Sequence, residues 1–334
     1  MKKFLVIAVA LAAVIAVGVW AGGAAEPDPE ETRTFRLAET HSADYPTTQG
    51  NKEFARLVEE RTDGRIQIEV YHSAQLGEES DVIEQVQFGG IDFTRVSISP
   101  MSAFVPELDA FQMPFLYDDS DHMWEVLRGD IGREMFDSLE EHGFVGLTWY
   151  DAGARHFYTT SPVETVDDLA GLNIRVQEAP LMMDMVELLG ANPVPMPFGE
   201  VYSGLQTGVI DGAENNWPSY LDTSHYEVAE YLIENAHTMV PEITVASLDV
   251  WETLSPEDQE IIAQAAWDSI DYQKELWAAY EQEAEEQIRE AGNVITEPSE
   301  EVLAEMQERM QPLYDGQPEH VREMIERVQT YGGR

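Results

Sequence analysis

The sequence predicts an α/β protein of two lobes with one long helix lying across both. Three observations carry this expectation. A strand, helix, strand, helix, strand succession fills the stretch from Thr34 to Val96, a second α/β unit starts after Phe144–Tyr150, and a helical pattern runs from Pro256 to Gly292 without internal glycine or proline. At about 150 residues per domain, 334 residues allow two such units.

At the N-terminus, Lys2 and Lys3 precede an uncharged run from Phe4 to Ala21, and Ala21 and Ala25 close small-residue stretches suited to cleavage. Residues 1–25 read as an export signal, with an uncleaved anchor as the alternative because the run sits near the length that spans a bilayer. Residues 26–33, rich in proline and acids, read as a flexible leader. Phe35 and Leu37 alternate with polar neighbours and predict a strand over Thr34–Glu39; Ile66, Ile68 and Val70 predict the next. Between them Phe54, Leu57 and Val58 share a helical face that ends at Gly64. A second helix carries Val82, Ile83 and Val86, stops at Gly89-Gly90, and leads into a strand over Ile91–Val96, so this sheet should be largely parallel.

In the second unit, strands are expected near Arg155–Thr159, at Leu172–Val176 and near Val194, with a helix over Pro180–Leu189. A helix over Glu200–Thr207 and the segment Val209–Asn215 complete it. Ile243–Val250 reads as a strand returning to the first sheet. Ser255 and Pro256 then cap a helix over 256–291, about 36 residues or roughly 54 Å at 1.5 Å per residue, too long for one lobe. A coiled coil is the alternative, but Ile261, Ile262, Ala265, Ala266, Ile270, Leu276 and Trp277 do not keep a seven-residue spacing. The expected lobes are residues 34–152 with 241–280, and 153–240 with 281–334.

Charge narrows the function. There are 64 Asp and Glu against 19 Lys and Arg, a net charge of -45, so phosphate backbones are repelled and nucleic acid is excluded as a partner. With no cysteine, disulfides, thiolate metal sites and cysteine nucleophiles are ruled out. Nucleotide-binding, hydrolase and zinc-peptidase motifs are absent, and the eight histidines never fall three or four residues apart. Asp118, Asp119 and Asp121 lack the glycine and glutamate of a calcium loop and read as a solvated turn. No cofactor or metal is expected.

From Glu134 to Gln273 the only arginines or lysines are Arg155 and Arg175, both in expected strands. A partly desolvated guanidinium is the usual device for fixing an organic carboxylate through paired hydrogen bonds. The competing reading is a structural bridge to a neighbouring acid. Similarly, Asn215, Asn216 and Trp217 follow a strand end, where ligands sit in open α/β sheets, or else form a helix cap and a core aromatic.

Four stretches, in order, resemble the DctP family, the substrate-binding proteins of tripartite ATP-independent periplasmic (TRAP) transporters. They are Ser73-Ala74-Gln75-Leu76-Gly77-Glu78; Val86-Gln87-Phe88-Gly89-Gly90-Ile91-Asp92-Phe93; Leu169-Ala170-Gly171-Leu172-Asn173-Ile174-Arg175-Val176; and Phe198-Gly199-Glu200-Val201-Tyr202-Ser203-Gly204-Leu205-Gln206-Thr207-Gly208. The resemblance covers roughly Phe35 to Gln329. It implies a two-lobed periplasmic-binding-protein-like fold, with mixed sheets and a cleft that closes on an organic acid. It also implies a periplasmic location and delivery to membrane permease subunits by a protein expected to be a monomer. Residue by residue, it implies that Arg175 bridges the ligand carboxylate and that Arg155, Phe198, Asn215 and Glu78 face the ligand. Glu39, His41 and Arg95 are placed near the cleft by strand-end position alone.

The turn Glu39-Thr40-His41-Ser42-Ala43-Asp44-Tyr45 is richer in hydrogen-bonding groups than many family members, which a plain dicarboxylate would leave unused. A hydroxylated sugar acid such as glucuronate or galacturonate is therefore the expected ligand. The alternatives are a C4-dicarboxylate, a secreted carbohydrate-active enzyme with an unmarked acid pair, and a sensor of the same fold.

Overall fold

The computed structural model describes residues 32–333. The export segment 1–25 and most of the leader lie outside the described residues. The described strands are β1 (Arg33–Ala38), β2 (Ile66–Tyr71), β3 (Phe93–Ser97), β4 (Phe144–Tyr150), β5 (Ala154–Thr159), β6 (Asn173–Val176), β7 (Asn192–Pro195), β8 (Gly212–Asn215), β9 (Tyr231–Met239), β10 (Glu242–Ser247) and β11 (Val294–Thr296).

They form two mixed sheets, in the orders β2-β1-β3-β10-β4 and β11-β9-β5-β8-β6-β7. In the first, β1 runs parallel to β2 and β3, and β10 is the antiparallel strand between β3 and β4. The expected return of the chain to the first sheet is therefore observed, inserted centrally. It is shorter than Ile243–Val250, because Ser247 starts a helical turn at Leu248–Trp251. Likewise β3 begins at Phe93, later than the expected Ile91, and the Asp92 side chain before it accepts from the backbone N–H of Arg36 at 2.7 Å. In the second sheet β5 lies antiparallel between β8 and β9.

The chain passes between the sheets at Asp151–Gly153 and at Val240–Pro241, and a third time within the helix Pro256–Ala291, which has the expected boundaries. Ser255 caps this helix by accepting from the Asp258 N–H at 3.1 Å, and Gly292 ends it at φ +93°. Ile262, Ala265 and Ala266 pack beneath the first sheet, whereas Ala284 and Ile288 join the core of the second. The helix Pro46–Arg61 lies against it. A Cβ at Gly50 would stand 2.9 Å from the Gln273 side chain, so this glycine sets how closely the two helices approach. Two C-terminal helices, Glu300–Gly316 and Glu319–Gln329, had no expected counterpart; the second packs on Pro106–Phe111, and its Arg327 pairs with Glu134 at 2.6 Å. Among the described residues no helix is long and apolar enough to cross a membrane.

Candidate functional site

The strand ends of both sheets converge on one cavity. From the first sheet and its connections come Thr40, His41, Glu79, Ser97 and Glu242; from the second come Arg155, Arg175, Gln177, Phe198, Asn215 and the helix start at Asn216–Ser219. Five of the eight residues expected from the sequence, His41, Arg155, Arg175, Phe198 and Asn215, thus line one space.

The two strand arginines differ in their partners. Arg155, on β5, is paired with Glu214 on the adjacent β8: Nε donates to Oε2, Nη2 donates to Oε1 at 2.8 Å, and Nη1 donates to Asn215 Oδ1 at 2.9 Å. The structural-bridge reading therefore describes Arg155 even though it lines the cavity. Burial favours the neutral acid, but Arg155 and His237 outweigh it and hold Glu214 down at about 2. Arg175, on β6, has no carboxylate partner. Its Nε and Nη2 both donate to the Met196 carbonyl, at 2.9 and 2.7 Å, and its guanidinium carbon lies 6.0 Å from the Phe198 ring centre. At 3% exposure, burial lowers its pKa below the usual arginine value. Among the described residues it is the buried arginine without an acid.

Asn215 and Asn216 divide the two roles the sequence left open. Asn216 caps the helix Trp217–Asp222, accepting from the Ser219 N–H at 2.8 Å, and Trp217 is core. Asn215 Oδ1 is occupied by Arg155 and by the Asn216 N–H, which leaves its amide nitrogen for the cavity. His41 stacks on Tyr45 at 3.9 Å; burial chiefly, then Arg95 and Arg155, drive its pKa well below the usual value, so the ring is neutral. Its Nδ1, together with Ser97 Oγ and Gln177 Oε1, has no hydrogen-bond partner within the protein.

The other three expected residues stand elsewhere. Glu39 and Arg95 lie behind the cavity wall, where Arg95 is fully buried. Its Nε donates to Glu39 Oε2 at 3.0 Å, its Nη2 to Glu39 Oε1, and its Nη1 to Glu79 at 3.1 Å and Glu242 at 2.6 Å. Strand-end position had placed Glu39 and Arg95 in the cleft, but the guanidinium turns into the layer beneath, where three carboxylates meet it. Glu78 sits in the adjoining mouth beside Phe198 and accepts from the Gly199 N–H across the cleft, while burial raises its pKa.

Sequence reasoning did not single out Glu79 or Glu242. Burial is the chief force raising both, and Glu79 reaches about 7 despite Arg95. A signal existed in each case. Arg95 and Glu242 lie in the strands FTRVS and EITVAS, buried along their whole length, and a charge there demands a partner.

A family model described as bacterial extracellular solute-binding protein, family 7 (DctP), matches residues 37–320. A solute-binding protein of Chromohalobacter salexigens is 40% identical over 276 residues, 82% of each chain. Among solved structures, a TRAP periplasmic solute-binding protein from a Bradyrhizobium species in complex with D-galacturonate superposes with a TM-score of 0.87 at 41% identity, covering 89% of this chain and 99% of that one. One from Chromohalobacter salexigens with bound D-glucuronate gives 0.85 at 38% identity, covering 88% and 99%.

Proposed function

This chain belongs to family 7 of the bacterial extracellular solute-binding proteins, the DctP family, and on that premise we propose that it captures a uronate such as galacturonate or glucuronate in the periplasm and hands it to TRAP permease subunits. The observation that carries the reading is Arg175, a buried guanidinium on the cavity wall with no acid of its own. A ligand carboxylate is the group that completes it, through charge-assisted hydrogen bonds strengthened by desolvation.

The remaining lining favours hydroxyls over a second acid. His41 Nδ1, Ser97 Oγ and Gln177 Oε1 are polar atoms without partners, the Asn215 amide offers donors, and Phe198 offers a flat apolar face. Relatives with bound galacturonate and glucuronate support the same class. Residues 34–152 with 241–280, and 153–240 with 281–316, act as lobes that close on the ligand; the last helix, Glu319–Gln329, expected with the second lobe, goes with the first, because it packs on Pro106–Phe111 and its Arg327 pairs with Glu134. Closure is favoured because the closed state offers both walls to it at once. The role is binding without turnover.

Calorimetric titration with galacturonate, glucuronate, succinate and malate tests the proposal. Uronates should bind and Arg175→Ala should lose at least a hundredfold in affinity, on the order of 3 kcal/mol. Binding of C4-dicarboxylates alone would sink the uronate assignment, and an unchanged affinity in the variant would sink the role of Arg175.

A further inference from the structure

We infer that Glu79, backed by Glu242, makes the cavity selective for ligands with a single carboxylate, turning away any ligand that carries a second one. The inference rests on Arg175 as the carboxylate receptor and extends it to what the opposite wall rejects.

The two walls of the cavity carry opposite charge. Arg155 and Arg175 stand on the side of the second sheet, and Glu79 and Glu242 on the side of the first. The acidic wall is not neutralised from behind. Arg95 serves Glu39, Glu79 and Glu242 together, so three carboxylates share one guanidinium. Their free lone pairs can only accept hydrogen bonds while the carboxylates are ionised. Ser97 Oγ, on the same wall and 2% exposed, has no partner, and neither has the acceptor Gln177 Oε1, which lines the same cavity. The acceptors, Glu79, Glu242 and Gln177 Oε1, are satisfied by hydroxyl donors, and Ser97 can donate or accept. A second carboxylate would bring like charge and lone pairs against lone pairs where burial leaves no water to screen them.

The selectivity should depend on pH. Glu79 titrates at about 7 because burial and the charges of Glu242 and Glu39 outweigh Arg95 and the Ser97 N–H. Arg175, Glu78 and Glu178 face it from the neighbouring space; Arg175 favours its ionised form and the two acids oppose it. At pH 8 Glu79 is mostly ionised and rejection is strongest; at pH 6 Glu79 carries a proton and rejection weakens.

The test is titration calorimetry of the protein at pH 6 and pH 8 with acids paired by stereochemistry, galacturonate with galactarate and glucuronate with glucarate, together with lactate, malate and succinate. The best monocarboxylate should exceed every dicarboxylate by at least tenfold at pH 8, with a gap at least threefold smaller at pH 6. Glu79→Gln should narrow the gap at pH 8 and remove its pH dependence; if that variant does not fold, the wild-type pH series decides alone. A dicarboxylate within threefold of the best monocarboxylate at pH 8 overturns the inference. Binding of lactate but of no uronate would overturn the proposed ligand and leave the inference standing, whereas silence from every acid would overturn both.

Discussion

Arg155 and Glu214 lie diagonally across neighbouring antiparallel strands, and the guanidinium closes on both carboxylate oxygens in a fully buried pair. Removing one partner of such a pair strands a charge in the interior, which costs about 3–5 kcal/mol. Arg155→Ala should therefore lower the melting temperature of the ligand-free protein strongly. The check is thermal unfolding without ligand, and an unchanged midpoint would show that the pair does not contribute to stability.

Arg175 should behave oppositely. Its charge is desolvated and meets only a carbonyl, so the ligand-free protein carries the burial cost without an ion pair in return. Arg175→Met, which keeps the volume and removes the charge, should leave unfolding stability equal to or above wild type, by up to about 2 kcal/mol, while uronate binding disappears. Stability and affinity moving down together would show that the arginine supports the fold instead.

These two arginines also show how far the sequence could be read. Scarcity marked both, because cations are nearly absent from the middle of the chain, but scarcity cannot say which one is paired. That depends on a strand register that sets Glu214 opposite Phe157 and so diagonal to Arg155, a relation between residues 59 apart. The long helix was legible to its ends because a serine-proline start and a left-handed glycine mark it locally. β9 was not legible, since Tyr231–Met239 carries polar residues at buried positions and an irregularity at Ala236, φ +44°. Glu79 and Glu242 sit among 64 acids, and the marks that pick them out are indirect: Glu242 stands in a strand buried along its whole length, and Glu79 meets Arg95, which stands in another.

Glu281 gives a stability prediction with a definite sign. Burial first, then the charge of Asp151, raises its pKa from the usual 4.5 to about 7. The folded chain thus holds this proton more tightly than the unfolded chain. Stability contributed at low pH is lost as pH rises from about 4.5 through about 7 and stays lost above. Glu281→Gln should match wild type near pH 4.5 and exceed it by about 1–3 kcal/mol at pH 8, each pH unit between the two values being worth about 1.4 kcal/mol. Denaturant unfolding at both pH values reads the difference; an advantage confined to pH 4.5 would refute the assignment.

In the proposed closure, Tyr45 is a contact that the first lobe makes with the second. Its hydroxyl lies 2.8 Å from Ser219 Oγ and 3.3 Å from Asn216 Oδ1, both in the second lobe, and its ring is held independently by His41 and Trp277. Tyr45→Phe removes only the contact made on closure and keeps the packing beneath it. A hydrogen bond of this kind contributes about 1 kcal/mol net, so ligand affinity should fall about fivefold. On that proposal the loss should appear in the dissociation rate, because the contact forms only after ligand has entered. Stopped-flow release and thermal unfolding without ligand separate the possibilities. Faster release with an unchanged melting temperature is the expected result, whereas a lower melting temperature with unchanged release would place the hydroxyl in the stability of the fold and not in closure.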